Sequence, residues 1–268
     1  MDVQEQQFDI PDNMTCTDLT SFTLTAVIYA SGDFLGFVLA GVTLAPIFCI
    51  AVLCSFVAFR RDWQTTMLLV GTFLNVILNK ALKEALREPR PATCAVMLNS
   101  GLATPGSFEE FGMPSNHAQF MAFLGVFASL FLAVRTTGAS VLERIILGVL
   151  AHILILSVAY SRVYLGYHSL KQVLVGLGVG GCAGCAWFFI YLSILEPFGK
   201  VFTRTWIAQK LLIRDASSIG NIVKFEHNIY SLHTSYLSRF KQPFPLDIYD
   251  VPPDSLRKLI QEAKKKKK

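Results

Sequence analysis

The sequence predicts an all-α protein, a polytopic bundle of about five helices that span a membrane. Hydrophobic residues make up 53% of the 268 residues and charged residues only 16%. A soluble globular domain has about 25% charged residues. The apolar residues also occur in runs long enough to cross a bilayer as helices. These observations exclude an ordinary soluble enzyme, a disordered chain and a simple basic nucleic-acid binder.

Five apolar runs define the predicted spans, at 34–59, 63–78, 117–134, 145–160 and 170–195. The first run contains no charged residue, and Pro46 near its middle predicts a kink. The second run is weaker, and we predict that it ends where the chain turns polar at Asn79. The fifth run carries Gly176, Gly180 and Gly184 at four-residue spacing, which predicts a face on which another helix of the same bundle packs closely.

The segments that flank the spans differ in charge. Residues 1–59 contain six acids and no Lys or Arg, so we expect no cleaved signal peptide, which would begin with positive charge. Residues 196–268 contain fourteen Lys or Arg against seven acids, and the amphipathic stretch 206–213 predicts a segment at the membrane interface. The chain is therefore predicted to have an acidic N-terminal segment at 1–33, a membrane-embedded domain at 34–195 and a basic tail at 196–268.

Three polar blocks lie at the ends of spans, at 83–91, 114–117 and 161–168. The second span leaves the membrane into the first block, the third span begins at the second block, and the fourth span leaves into the third block. Because consecutive spans alternate in direction, all three blocks are predicted to lie on the same face of the bilayer.

The residues of these blocks suit phosphoryl transfer. Lys83, Arg90 and Arg162 supply three cations, the number that suits the equatorial oxygens of a phosphoryl group in transfer. Ser115 stands where it would cap a helix, which leaves the following backbone N–H groups free to bind an anion. One of the two histidines, His117 and His168, can attack phosphorus while the other protonates the departing oxygen.

Each block alone also fits a structural role. A Lys and an Arg near a helix end commonly snorkel to the membrane interface, and Pro-Ser-Asn is an ordinary helix start. The combination is more specific, because all the spacings and the shared face must then arise by chance. The glutamates near the blocks have no His or Asp partner at metal-ligand spacing, so we expect solvated loop residues and no metal site at Glu84, Glu88, Glu109 and Glu110.

The three blocks resemble the signature motifs of the type 2 phosphatidic acid phosphatase (PAP2) superfamily. The resemblance implies a helix bundle of the PAP2 and haloperoxidase type that needs no metal or other cofactor. It implies that His168 is a nucleophile that forms a phosphohistidine and that His117 is the general acid. It further implies that the phosphate is held by Lys83, Arg90, Ser115, Asn116 and Arg162.

Two residues depart from the usual motifs of that superfamily. Asn116 stands where the second motif usually has Gly. Gln172 stands four residues after the last histidine, where an orienting Asp is common. A glutamine can still hydrogen-bond an imidazole, but it cannot offset the charge of an imidazolium.

Four segments extend the resemblance to the dolichyldiphosphatase family within this superfamily, at 88–91, 111–121, 160–168 and 212–215. This implies hydrolysis of dolichyl diphosphate to dolichyl phosphate in the endoplasmic reticulum, which recycles the lipid carrier of N-glycosylation. The implied partners are the polyprenyl diphosphate lipid and the bilayer.

A broader lipid phosphate or prenyl diphosphate phosphatase and a glucose-6-phosphatase-like enzyme are alternatives. Outside the enzymes, an inactive scaffold or an anion-conducting bundle is the alternative, although neither needs two histidines beside three cations. Oligomeric state is left open.

The orientation in the membrane follows from the odd number of spans, which puts the two chain ends on opposite faces. Lys and Arg counts in the short loops do not decide between the faces, but three cations of the site face are already assigned to phosphate. We therefore predict a lumenal site and a cytosolic tail. The sequon at Asn13 agrees, and Lys265 and Lys266 fit a dilysine signal that coat proteins recognise. The alternative for the terminal lysines is a solvated, membrane-attracted tail.

Overall fold

The computed structural model describes residues 19–22, 27–91, 93 and 111–240. A two-stranded antiparallel hairpin precedes the helices, with Leu19 paired to Ala30 and Phe22 to Val27. The elements in chain order are β1 (Leu19–Phe22), β2 (Val27–Ala30), α1 (Phe34–Val42), α2 (Ala45–Arg60), α3 (Trp63–Leu86), α4 (Asn116–Val134), α5 (Val141–Tyr164), α6 (Leu170–Ile190), a π-helical turn (Tyr191–Leu195), α7 (Glu196–Phe202), α8 (Trp206–Lys210) and α9 (Ile222–Phe240).

Five helical segments of the described residues are long and apolar enough to cross a membrane: Phe34–Arg60, Trp63–Leu86, Asn116–Val134, Val141–Tyr164 and Leu170–Phe202. The predicted all-α fold with five spans is confirmed. The kink predicted at Pro46 is also confirmed, since α1 ends at Val42 and α2 begins at Ala45 with this proline in its first turn. Proline is tolerated there because the first helical N–H groups have no partner within the helix.

The predicted end of the second span is wrong, because α3 continues to Leu86. Asn79, the polar residue at which an end was predicted, is buried and hydrogen-bonded inside the bundle. The Asn79 side chain donates to the Gln119 amide oxygen at 2.8 Å, and Gln119 in turn donates to the Asn75 side-chain oxygen at 3.0 Å. Buried polar groups with partners are compatible with a membrane helix. The extension places Lys83 in the last turn of α3 rather than in the following loop.

The glycine face of α6 packs against α4, as predicted. A Cβ at Gly176 would lie 2.7 Å from the backbone oxygen of Ser115, and a Cβ at Gly184 would lie 2.5 Å from that of Phe123. At Gly180 a Cβ would overlap the backbone oxygen of Gln119. Only glycine permits this approach of two helix backbones. The start of α6 is thereby held beside the start of α4.

A second set of contacts holds the opposite end of the helix bundle, away from the starts of α4 and α6. Trp63 donates its ring N–H to the Leu195 backbone oxygen at 2.8 Å. The buried carboxylate of Glu196 pairs with Arg135 and with Lys200, each at 3.0 Å. Helix α8 lies within the predicted interfacial stretch 206–213.

Helix α9 belongs to a second unit that begins at Asn221. The sequence analysis predicts no helix in this part of the chain. Its apolar residues recur at three- and four-residue spacing, as at Ile222, Phe225 and Ile229, which is the pattern of an amphipathic helix. The search for long uncharged runs could not detect it, because polar residues interrupt the pattern.

Gly180→Ala should lower the thermal stability of the purified protein in detergent, because its Cβ would overlap the Gln119 backbone. Overpacking of this kind costs about 1–3 kcal/mol of unfolding free energy. Gly178→Ala is the matched control, since nothing lies within 4 Å of a Cβ at that position. Alanine favours a helix over glycine, so this variant should be neutral or slightly stabilised. Equal unfolding temperatures for the two variants would contradict the proposed contact.

Candidate active site

The three polar blocks meet at one end of the helix bundle. Pro89 and Phe111 form an antiparallel bridge, and the Gly112 N–H donates to the Glu88 backbone oxygen at 2.7 Å. These bonds join the first block to the chain that leads into the second. The Ser115 N–H donates to the Gln172 backbone oxygen at 3.1 Å, which joins the second block to the start of α6. The co-location predicted from the count of spans is therefore present.

The three cations converge on the two histidines. Lys83 and Arg162 are buried, with 4% and 5% of their surface exposed, and Arg90 is half-buried. All three act electrostatically on both His117 and His168. Lys83 also donates to the Phe111 backbone oxygen at 3.0 Å. Like charges gathered in a buried place are costly unless an anion binds among them, so this arrangement has the character of an anion site.

Two residues of this cluster have buried polar atoms without a hydrogen-bond partner. Ser115 is the N-cap residue of α4, but its fully buried hydroxyl makes no capping bond. The Nε atom of Arg162 is likewise buried and unpartnered. Because buried polar atoms in proteins nearly always have partners, such atoms indicate a place where a ligand supplies the acceptor. Phosphate oxygens can accept from a hydroxyl and from a guanidinium together.

The His168 imidazole is held by Gln172. The Nδ1 atom of His168 lies 3.2 Å from the Gln172 side-chain oxygen. The orientation of this amide is decided by its nitrogen, which donates to the Pro89 backbone oxygen at 2.7 Å. The oxygen therefore faces the imidazole, so Nδ1 carries the proton and Nε2 keeps its lone pair. A capping box between Ser169 and Gln172 starts α6 and fixes the backbone from which Gln172 projects.

The environment of His168 favours the neutral imidazole. Burial, followed by the positive charges of Arg162, Arg90 and Lys83, holds the pKa of His168 well below its usual value of 6.5. The hydrogen bond to Gln172 opposes this shift but does not cancel it. A lowered pKa means that the ring is neutral at pH 7 and stays neutral below pH 6.5. A neutral imidazole with a free Nε2 is a nucleophile.

Arg162 is positioned by an aromatic residue that the sequence analysis missed. The Tyr167 ring lies 4.3 Å from the Arg162 guanidinium carbon, a cation–π contact. The Tyr167 hydroxyl accepts from the backbone N–H of Ile28 at 2.8 Å, which connects the β1–β2 hairpin to the site. The turn between Arg162 and Tyr167 contains Gly166 at a φ of 72°, a conformation that favours glycine. The signal in the sequence was the aromatic side chain of Tyr167 within the third polar block.

The remaining predicted residues are placed as follows. Asn116 is the first residue of α4 and its side chain is exposed, whereas His117 is half-buried. Glu88 is not the solvated loop residue predicted, because its carboxylate pairs with Lys171 at 2.9 Å and its side chain is 26% exposed.

Within the described ranges, no group of three His, Cys, Asp or Glu residues could hold a metal ion. The predicted features outside those ranges are Asn13, Glu109, Glu110, Lys265 and Lys266.

Comparisons with known proteins identify the family of this chain. The model of the PAP2 superfamily matches residues 64–194, which include every predicted site residue. The chain is 37% identical to Dolichyldiphosphatase 1 of Callithrix jacchus, over 77% of this chain and 86% of that protein. The chain belongs to the PAP2 superfamily.

Two further relatives show the range of names within this PAP2 group. Lipid phosphate phosphatase gamma of Arabidopsis thaliana is 33% identical, over 78% of this chain and 90% of that protein. Dolichyldiphosphatase of Saccharomyces cerevisiae is 32% identical, over 72% of this chain and 77% of that protein. This PAP2 protein is a multi-pass membrane phosphatase, and the family relationship supports activity on lipid phosphates.

Proposed function

We propose that this PAP2 phosphatase hydrolyses dolichyl diphosphate to dolichyl phosphate and inorganic phosphate through a phosphohistidine on His168. The observation that carries the proposal is the position of His168, whose Nδ1 is held by the Gln172 oxygen at 3.2 Å beside three cations. The relatives named dolichyldiphosphatase support the substrate. A site at the end of an apolar bundle also suits a lipid whose head group lies at the interface while its chain stays in the bilayer.

The proposed reaction has two displacements. The His168 Nε2 lone pair attacks the terminal phosphorus, and the bond from that phosphorus to the bridging oxygen breaks. The electron pair leaves with dolichyl phosphate, and His117 donates a proton to the departing oxygen. His117 then removes a proton from water, whose oxygen attacks the phosphorus of the phosphohistidine. The bond from that phosphorus to Nε2 breaks, its electron pair returns to Nε2, and inorganic phosphate is released. Each proton that leaves an atom is thus accepted by a named group.

The proposed phosphate ligands are the groups that gather around the histidines. Lys83, Arg90 and Arg162 neutralise the charge that develops on the transferred phosphoryl group. The buried Ser115 hydroxyl donates to a phosphate oxygen. The exposed Asn116 side chain is less suited to this role than its backbone N–H, which belongs to the free first turn of α4.

A broader lipid phosphate phosphatase is the second candidate, because the Arabidopsis relative carries that name at similar identity. A substrate panel of dolichyl diphosphate, farnesyl diphosphate, phosphatidate and glucose 6-phosphate distinguishes the candidates. We expect the highest kcat/KM for dolichyl diphosphate, with turnover that persists in EDTA because cations of the protein supply the charge. Preference for phosphatidate would favour the second candidate. Loss of turnover in EDTA, restored by Mg²⁺, would contradict the mechanism.

His168→Ala should abolish formation of a covalent phosphoenzyme, because it removes the attacking nitrogen. His117→Ala should lower kcat by about 10²–10⁴-fold, the usual contribution of general acid catalysis, with a smaller loss on substrates that have better leaving groups. Rapid quenching with labelled substrate should trap an acid-labile, base-stable phosphate on His168. His152→Ala is the control, since this exposed histidine bonds to the Gly148 backbone oxygen of its own helix. Label on His117 would reverse the two roles.

We also propose that the protein resides in the endoplasmic reticulum, where it recycles the lipid carrier of N-glycosylation, with the site and segment 1–33 in the lumen. The bond between Ile28 and Tyr167 supports a common face for the N-terminal segment and the site. Segment 196–268 is then cytosolic, where Lys265 and Lys266 can be recognised by coat proteins.

Protease applied to sealed microsomes should remove an epitope at the C-terminus and spare one at the N-terminus. Detergent-opened microsomes, in which both epitopes should be lost, are the control. Protection of the C-terminus with loss of the N-terminus would place the site in the cytosol.

A further inference from the structure

The mechanism creates a positive charge on His168 that Gln172 cannot neutralise. When Nε2 bonds to phosphorus while Nδ1 keeps its proton, the imidazole ring becomes cationic. The ring already faces Arg162, Arg90 and Lys83, and all three oppose further positive charge. The residue in hydrogen-bonding reach of Nδ1 is the neutral amide of Gln172. A negative charge that acted through this amide would stabilise the cationic ring.

The Glu88 carboxylate lies on the far side of the same amide. The Gln172 amide nitrogen faces the Pro89 backbone oxygen at 2.7 Å and a Glu88 carboxylate oxygen at 3.5 Å. Its oxygen lies 3.2 Å from His168 Nδ1. The order of groups is thus imidazole N–H, amide C=O, amide N–H and carboxylate. A negative charge on the N–H side of an amide increases the electron density on its oxygen, which strengthens the bond that this oxygen accepts.

The local fold holds this chain of groups in place. A Cβ at Gly112 would lie 2.5 Å from the Gln172 amide, so glycine leaves the space that the amide occupies. The Gly112 N–H also holds the Glu88 backbone oxygen at 2.7 Å. The second Glu88 carboxylate oxygen pairs with Lys171 at 2.9 Å, and the Lys171 side chain is 69% exposed. Water screens that exposed lysine, so it does not cancel the charge of Glu88.

We propose that Glu88 is a positioning residue that stabilises the cationic, phosphorylated state of His168 through the Gln172 amide. This inference rests on the proposed function, because it assigns a part in the same phosphoryl transfer. The cations that act on His168 are Lys83 from α3, Arg90 from the connection after α3 and Arg162 from α5, and the same three act on His117 of α4. Through Gln172, Glu88 adds the opposing negative charge on the Nδ1 side.

Glu88→Gln tests the charge while keeping a side-chain oxygen that can accept from Gln172. We expect phosphohistidine formation in rapid-quench experiments to slow about tenfold, with little change in KM. The acid limb of the kcat/KM profile should move to lower pH by about half a unit, because loss of a negative charge disfavours protonated His168. A variant that merely loosened the site would admit water and move this limb towards pH 6.5, the opposite direction.

Two variants control for general charge effects. Glu84→Gln removes the same charge from an exposed residue in the last turn of α3, and it should leave the rate and the pH profile unchanged. Lys171→Met removes the partner of Glu88, so the acid limb should move to higher pH by a smaller amount. An unmoved or raised limb in Glu88→Gln, or an equal shift in Glu84→Gln, would overturn the proposal.

Exchange of the two side chains provides an independent test. Gln172→Glu alone should be slow, because it sets a carboxylate against Glu88 and the Pro89 backbone oxygen. The double variant Glu88→Gln with Gln172→Glu removes one repulsion and puts the charge next to His168. It should exceed the rate of Gln172→Glu and have an acid limb above that of the wild type. A double variant no faster than Gln172→Glu would contradict the role of Glu88.

A measurement without substrate separates this inference from the proposed function. Diethyl pyrocarbonate modifies neutral imidazole, so peptide mass spectrometry of His168 labelling against pH reports its protonation directly. Glu88→Gln should extend labelling to lower pH by about half a unit, and Glu84→Gln should match the wild type. If wild-type protein hydrolysed no lipid diphosphate, the proposed function would fail while this comparison still decided whether Glu88 acts on His168.

Discussion

Helices α4 and α6 contact each other through their backbones, because glycine occupies the positions of α6 that face α4. A side chain at any of these three glycines would collide with a backbone oxygen at the start of α4 or within it. The pairs are Gly176 with Ser115, Gly180 with Gln119 and Gly184 with Phe123. The first residues of the two helices are therefore adjacent, and the Ser115 N–H bonds to the Gln172 backbone oxygen. His117 is carried by one of these helix starts and the residues that hold His168 by the other. The relative position of the two histidines thus follows from a packing contact that extends away from the site.

Polar side chains inside the bundle serve this arrangement as much as the apolar ones do. Gln119, in the second turn of α4, exchanges hydrogen bonds with Asn75 and Asn79 of α3. Asn79 also donates to the Pro114 backbone oxygen at 3.2 Å, which fixes the chain just before Ser115. Because these groups satisfy one another, they can be buried at little cost and they set the register of α3 against α4. That register brings Lys83 to the level of the histidines.

The charged groups near His168 fall into two sets. Three buried or half-buried cations act on His168 and favour an anionic ligand and a neutral imidazole. The amide of Gln172 lies at Nδ1 of the same ring, and the Glu88 carboxylate lies beyond that amide. In the proposed mechanism, the cations stabilise the neutral ring, and Gln172 and Glu88 stabilise the cationic ring. A glutamine at this position, unlike a directly bonded carboxylate, adds no negative charge beside the cation cluster.

Much of the fold followed from the sequence alone. The five spans, the break near Pro46 and the glycine face of α6 are local properties of composition and periodicity, which tertiary contacts do not reverse. The convergence of the three polar blocks also followed, because consecutive spans must alternate in direction. The end of α3 did not follow, since Asn79 is polar and only its partners show that it is buried. Helix α9 was missed because an amphipathic helix contains no long apolar run.

The sequence by itself determined that this is a five-span membrane protein of the PAP2 superfamily, and it named the cations and histidines of the site. Spacing along the chain suffices for this, because a membrane restricts how helices can run. Only the tertiary structure decided which nitrogen of His168 is free and what acts on the other one. The contacts of Gln172 with Pro89 and Glu88 join residues more than eighty positions apart. The hydrogen bond from the Ile28 N–H to the Tyr167 hydroxyl likewise joins distant parts of the sequence. Such contacts are set by packing in three dimensions, so no local pattern could predict them.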